Sequence, residues 1–268
     1  TLPGGIYVTN VTVTLTGGRR RCPTMFAGGV ERRRGWDGWP SGGQRGRGTA
    51  AMDAQALCAG IRQGLTDVED RIKGNSWLTE LVSGRLSTEA LRAFAGEQLQ
   101  IIPSDLRSFE VLSQRFDTDP AHRYLAGMAT GEQAALSALD AFATAVGLAG
   151  SVRESYEPLP GCQVYPSYVA RLARDGTPAE IAGAFVVNLD AWGTCCARMA
   201  DALPRAYQLE SEDCAFFAHF AGPTTELERI SLEVIDAGLV EGVDPARIAR
   251  AARLLQAYEL LFWDSLPR

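Results

Sequence analysis

The sequence predicts an all-α protein, a bundle of seven to eight helices over residues 52–268, and three observations predict it. Apolar residues recur there at three- and four-residue spacing through long stretches. Helix-start signals punctuate the same region, with Asp119-Pro120, Thr177-Pro178-Ala179-Glu180 and Asp244-Pro245 each setting a capping side chain before a proline suited to a first turn. Alternating apolar and polar residues, the mark of a strand, are nearly absent after Met52.

Taken in order, the first helix spans about 53–73. The second follows Ser87, has Glu89 in its first turn, and carries Leu91, Phe94, Ile101, Phe109 and Leu112 on its apolar side. The third starts at Asp119-Pro120 and ends near Gly147. A loop with Pro158, Pro160 and Gly161 leads to a short helix around 165–174. The capping box at Thr177 and Glu180 opens a long apolar helix to Leu203. Helices near 211–220 and 224–237 follow, and the last runs from Asp244-Pro245 to Trp263-Asp264. Short connections between so many helices imply one compact bundle.

Residues 1–51 read differently. Residues 1–50 hold twelve Gly and the clusters Arg19-Arg20-Arg21 and Arg32-Arg33-Arg34, with no helical period. That composition implies a disordered extension, or upstream sequence translated ahead of a start at Met52. Residues 52–268 then form the single folded domain.

Charge and cysteine usage narrow the function classes. The eight Arg of residues 1–50 against Glu31 and Asp37 give +6, so the remainder carries −12 of the net −6. An acidic main domain repels phosphate backbones, which argues against nucleic acid as a partner. No apolar run reaches the roughly 18 residues of a membrane span. The six cysteines form no Cys-x-x-Cys pair, and the chain shows no basic leader with an apolar block behind it, so a cytoplasmic protein with reduced thiols is expected. Lys73 is the sole lysine and the chain has two histidines, so Schiff-base chemistry and a histidine-rich metal centre are both disfavoured. No cofactor and no metal are expected. Gly-x-Ser-x-Gly and phosphate-loop motifs are absent.

Polar residues on apolar helix faces carry the functional signal. Glu97 lies between Phe94 and Ile101, and Glu132 between Met128 and Leu136. Glu259 lies between Leu255 and Phe262-Trp263, and Asn188 between Phe185 and Ala191-Trp192. Neighbours three and four residues away share a helix face, so all four side chains should be buried. A lone buried carboxylate is costly, and three of them with an Asn on separate helices imply a shared polar cavity suited to general acid–base work. Tyr165, Trp192 and Tyr258 lie near these residues in sequence and are candidates for a stacking wall.

Three segments carry a family resemblance: Leu159 to Val169 (LPGCQVYPSYV), Ala184 to Trp192 (AFVVNLDAW) and Tyr258 to Asp264 (YELLFWD). In order and spacing they resemble the TenA/thiaminase II and PqqC group across nearly all of residues 53–266. The resemblance implies the haem-oxygenase-like helical fold, whose name does not imply haem. It also implies a dimer or tetramer, and metal-free hydrolysis of thiamin or related aminopyrimidines. Carried over by position, Glu259 matches the catalytic C-terminal Glu, Glu97 falls at the early-helix acid, and Tyr165 matches a substrate-stacking Tyr. The family's Leu-Pro-Cys segment reads Val187-Asn188-Leu189 here, so the nucleophilic Cys is replaced near Asn188, and Trp192 stands where a Tyr is usual. Glu259 and Glu97 are therefore the expected catalytic residues, with Tyr165, Asn188, Trp192, Glu132 and Tyr258 binding a small heterocyclic substrate. Two alternatives stand beside this. One is a PqqC-like or iron-dependent oxidase with Glu97, Glu132, His219 and Glu226 near ligand positions. The other is a catalytically silent small-molecule binder.

Overall fold

A computed structural model describes residues 53–268 of the chain, and among these described residues it has ten helices. The expected extension over 1–51 lies outside the described residues. The helices are α1 (Ala54–Lys73), α2 (Ser76–Val82), α3 (Thr88–Arg115), α4 (Ala121–Ala145), α5 (Gly150–Glu154), α6 (Pro160–Asp175), α7 (Pro178–Tyr207), α8 (Ala215–Phe220), α9 (Thr225–Val240) and α10 (Pro245–Ser265). No strand occurs among the described residues. Eight of these are the helices legible in the sequence, and α2 and α5 are short additions. The helix expected around 165–174 starts earlier, because Pro160 serves as its first helical residue.

Local chemistry starts most of the helices. The side chains of Asp53, Asn75, Ser87, Thr177 and Asp244 each accept a hydrogen bond from a backbone N–H in the first turn that follows. At α7 the capping box is complete, with Glu180 reaching back to the Thr177 N–H at 3.0 Å. Glu180 also accepts from Arg247 of α10 at 2.8 Å, which joins the starts of two long helices.

The long helix α3 packs on α4 and α7 packs on α10, α6 bridges α3 and α10, and α1, α2, α8 and α9 complete the bundle. Their apolar faces build two clusters rather than one. One gathers Trp77, Phe94, Phe142, Phe217 and Trp263; the other gathers Leu65, Phe109, Tyr124, Phe185 and Leu255. Each of the four long helices passes from one cluster to the other, and at each crossing stands a polar side chain. On α3 it is Asp105, between Ile102 and Phe109; on α4 it is Glu132, between Met128 and Ala135. On α7 it is Asn188, between Val187 and Ala191; on α10 it is Gln256 and Glu259, between Leu255 and Leu260. All five are buried. The fold thus has a polar seam at mid-height, and the candidate site lies on it.

Candidate active site

At the seam lies a partly enclosed cavity, whose empty space of about 460 Å³ includes the part open to solvent. Its polar lining is Gln98 and Asp105 from α3, Glu132 from α4, Tyr165 from α6, Asn188 from α7 and Glu259 from α10. Trp192, Phe185, Phe220 and Phe262 supply aromatic wall, with Ile101, Ile102 and Leu189 completing it. No Arg, Lys or His lines it.

Glu259 is the most fully engaged of the carboxyl groups that line the cavity. It is 3 % exposed, and its two oxygens accept from Trp263 Nε1, one helical turn on, at 3.3 Å and from the Asn188 amide. Burial pushes its pKa up to about 8, against the two hydrogen bonds that favour the charged form. The same Asn188 amide nitrogen donates to Gln256 at 3.2 Å, while its oxygen accepts from the Tyr165 hydroxyl at 3.1 Å. Burial, then the charges of Asp105 and Glu259, hold Tyr165 well above its ordinary value, so it remains a neutral donor. A chain Tyr165–Asn188–Glu259–Trp263 therefore fixes the orientation of the α10 carboxyl.

Asp105 and Glu132 face the cavity from α3 and α4. Burial raises both pKa values, and the Glu132 charge raises Asp105 further. Trp192 lies parallel to Phe94 at 6.3 Å and edge-on to Phe220 at 5.8 Å and Phe262 at 6.4 Å, which sets the indole in place.

Of the expected site residues, the fold brings together Glu259, Glu132, Tyr165, Asn188 and Trp192. Glu97 and Tyr258 lie elsewhere. Glu97 is fully buried but turned to the segment after α5. Tyr156 Oη and the Leu159 N–H donate to one of its oxygens, and Gln163 Nε2 to the other, each at 2.6 Å. Tyr258 packs edge-on against Tyr168 at 5.2 Å. Asp105, Gln98 and Gln256 were not among the expected residues. Asp105 carries the same signal as the others, with Ile101 and Ile102 behind it and Phe109 and Leu112 ahead. The iron-ligand set of the oxidase alternative is not assembled. Glu226 is ion-paired with Arg229, and His219 is exposed against Phe220. Among the described residues no three His, Cys, Asp or Glu side chains converge in a metal-holding group. Burial raises the thiols of Cys58 to about 11 and Cys162 to about 12, and neither they nor Cys195, Cys196 or Cys214 line the cavity.

The model of the family described as TENA/THI-4/PQQC matches residues 77–266. The chain belongs to that family. No curated protein matches it in sequence. Among solved structures, a TenA homologue from Pseudomonas syringae pv. tomato superposes with a TM-score of 0.67 at 13 % identity, covering 82 % of this chain and 97 % of that one. A TenA homologue from Pyrococcus horikoshii OT3 gives 0.63 at 16 % identity, covering 78 % and 96 %. Haem oxygenase-1 from the cyanobacterium Synechocystis, solved in complex with haem, gives 0.57 at 14 % identity, covering 78 % and 90 %. The TENA/THI-4/PQQC chain therefore has the haem-oxygenase-like fold. His, Cys and Met, which commonly hold haem iron, are absent from the cavity lining, and its one Tyr, Tyr165, is a neutral hydroxyl that donates to Asn188. No helix among the described residues is long and apolar enough to cross a membrane.

Proposed function

We propose that the protein is a TenA-type enzyme that hydrolyses a small, thiamin-related aminopyrimidine, with Glu259 as its acid–base group. The observation that carries this reading is the buried Glu259 carboxyl, oriented by Asn188 and Trp263 at the wall of an aromatic cavity. With a pKa near about 8 it holds a proton at neutral pH yet releases it within reach of ordinary conditions, which suits a group that must both give and take protons. The family's nucleophilic Cys is replaced near Asn188, and neither Asn188 nor Leu189 in the cavity wall can form a covalent intermediate, so water attacks the substrate directly. In that step a C–O bond forms at the carbon bearing the amine. The Glu259 proton passes to the departing nitrogen, the C–N bond breaks, and the carboxylate recovers a proton from the added water. Asp105, rather than Glu97, supplies the early-helix acid in this scheme, because it lines the cavity.

Thermal-shift screening of the full chain with thiamin and simple 4-aminopyrimidines, followed by ammonia release from any hit, tests the reading. No ligand-induced shift and no ammonia would overturn it. A shift without turnover would favour the silent binder, a reading supported by the amide at position 188. Light scattering would test the dimer or tetramer that the family resemblance implies.

A further inference from the structure

Gln256 of α10 is fully buried three residues before Glu259, yet it does not line the cavity. An apolar side chain would fill that place without the cost of burying an amide. Its Oε1 accepts from Asn188 Nδ2 at 3.2 Å, and its Nε2 donates to the Val187 carbonyl of α7 at 3.5 Å. The Val187 oxygen can only accept, so the Gln256 amide has one workable direction: turned over, it would set oxygen against oxygen there. No other hydrogen-bond neighbour of Asn188 imposes a direction. The Tyr165 hydroxyl can donate or accept. A Glu259 carboxyl pushed up to about 8 carries a proton at neutral pH, so it too can do either. The direction of the Asn188 amide is therefore set from the α7 backbone, through Gln256.

We propose that Gln256 is a positioning residue for Glu259: it decides which way the Asn188 amide faces, and so keeps an N–H rather than a carbonyl against the α10 carboxyl. The proposal rests on reading Glu259 as the acid–base group and deepens that reading. With the amide as it stands, Asn188 Nδ2 and Trp263 Nε1 donate to the two carboxyl oxygens, and the carboxyl's own O–H is left for the cavity. With the amide turned over, that O–H would be taken by the Asn188 carbonyl, and the ionised form would face an oxygen. The charged form then loses a donor and the proton is held more tightly. Other groups act on Glu259 through charge: Glu69 and Lys73 from α1, Tyr165 from α6, and Cys195 and Cys196 from α7. Asp105 of α3 and Glu132 of α4 share its cavity, where Asp105 Oδ1 and Glu132 Oε2 are buried with no hydrogen-bond partner. Of all these only Tyr165 bonds to Asn188, and its hydroxyl suits either direction.

The test is an NMR titration of the full chain, isotope-labelled at the glutamate carboxyl carbons, with the Glu259 signal identified by its loss in Glu259→Gln. Gln256→Met, apolar and of similar length, should raise the Glu259 midpoint by at least about one pH unit, as a charged group does on losing a hydrogen-bond donor. Asn188→Leu should raise it too. Gln256→Met added to Asn188→Leu should move it no further, because the effect passes through that amide. A merely structural role would lower the melting temperature at every pH and leave the midpoint in place. Gln256→Leu gives the same readout should Gln256→Met not fold. An unmoved or lowered midpoint, a rise that persists undiminished in the Asn188→Leu background, or failure of both Gln256 variants to fold would overturn the proposal. The titration needs no substrate. Absent turnover with the shifts as described would therefore sink only the function proposed above, and an unmoved midpoint in an active hydrolase only the role of Gln256.

Discussion

Glu259 and Glu97 look alike in sequence, each a carboxylate on an apolar helix stripe, and they end in opposite roles. The spacing test reports burial; it does not report which neighbour fills the space beside a side chain. On α3, Glu97 and Asp105 are eight residues apart, which turns them about 80° from each other, whereas Gln98 and Asp105 lie within about 20°. Gln98 and Asp105 accordingly share the cavity, and Glu97 turns toward a segment that folds back from sixty residues further on. That long-range closure leaves no periodic trace. Tyr258 differs from Glu259 by one residue, and hence by about 100°, and meets Tyr168 instead of the cavity. Replacing Glu259 by Gln should lower turnover by at least about 10²-fold, the smaller end of what general acid–base catalysis contributes. Its melting temperature should hold or rise. The unfolded chain ionises this group near 4.5 and the folded chain near about 8, so between those values the folded state binds more protons. Stability should therefore fall as pH rises through that window, and Glu259→Gln should flatten the decline, as pH-dependent melting will show.

The α3 tether shows how elements are tied. Gly96 lies under the Tyr156 ring, where an added Cβ would sit 2.4 Å from the ring carbon Cζ. The ring can settle against the helix only because that position has no side chain, and from there its hydroxyl reaches Glu97. Gly96→Ala should push the ring away and cost about 1–3 kcal/mol, as overpacking does, measured by denaturant unfolding. Glu97→Ala removes the acceptor from Tyr156, Leu159 and Gln163 at once and should cost at least about 2 kcal/mol. Turnover per folded molecule should not change; a loss of turnover at full stability would return Glu97 to the chemistry. The seven long helices were legible because several turns of period agreed, in several cases with a start signal, and the six residues of α8 were read as part of a longer stretch near 211–220. The seven residues of α2 and five of α5 are too short to show a period. Pro103, Pro166 and Pro204 stand inside α3, α6 and α7, where sequence alone favours a break, and packing of the surrounding turns carries the helices through.

At the scale of the whole molecule, the order of clusters along each helix was already written in the chain. Apolar stretches on four helices are broken where the two clusters meet, by Asp105, Glu132, Asn188 and the Gln256–Glu259 pair. What the sequence does not state is that the four interruptions lie at one level; only the packed bundle aligns them. The alignment has a consequence for how this protein can change over generations. Two carboxyls without partners subtract from stability, so substitutions that remove them are favoured wherever folding alone is under selection. The double change Asp105→Leu with Glu132→Met should raise the melting temperature, since apolar residues in place of buried charges are often stabilising by about 1–4 kcal/mol. It should also end ligand binding. A lineage that kept the fold but lost the need for its ligand would drift toward that fused core, so the persistence of the seam in a chain is itself a record of use.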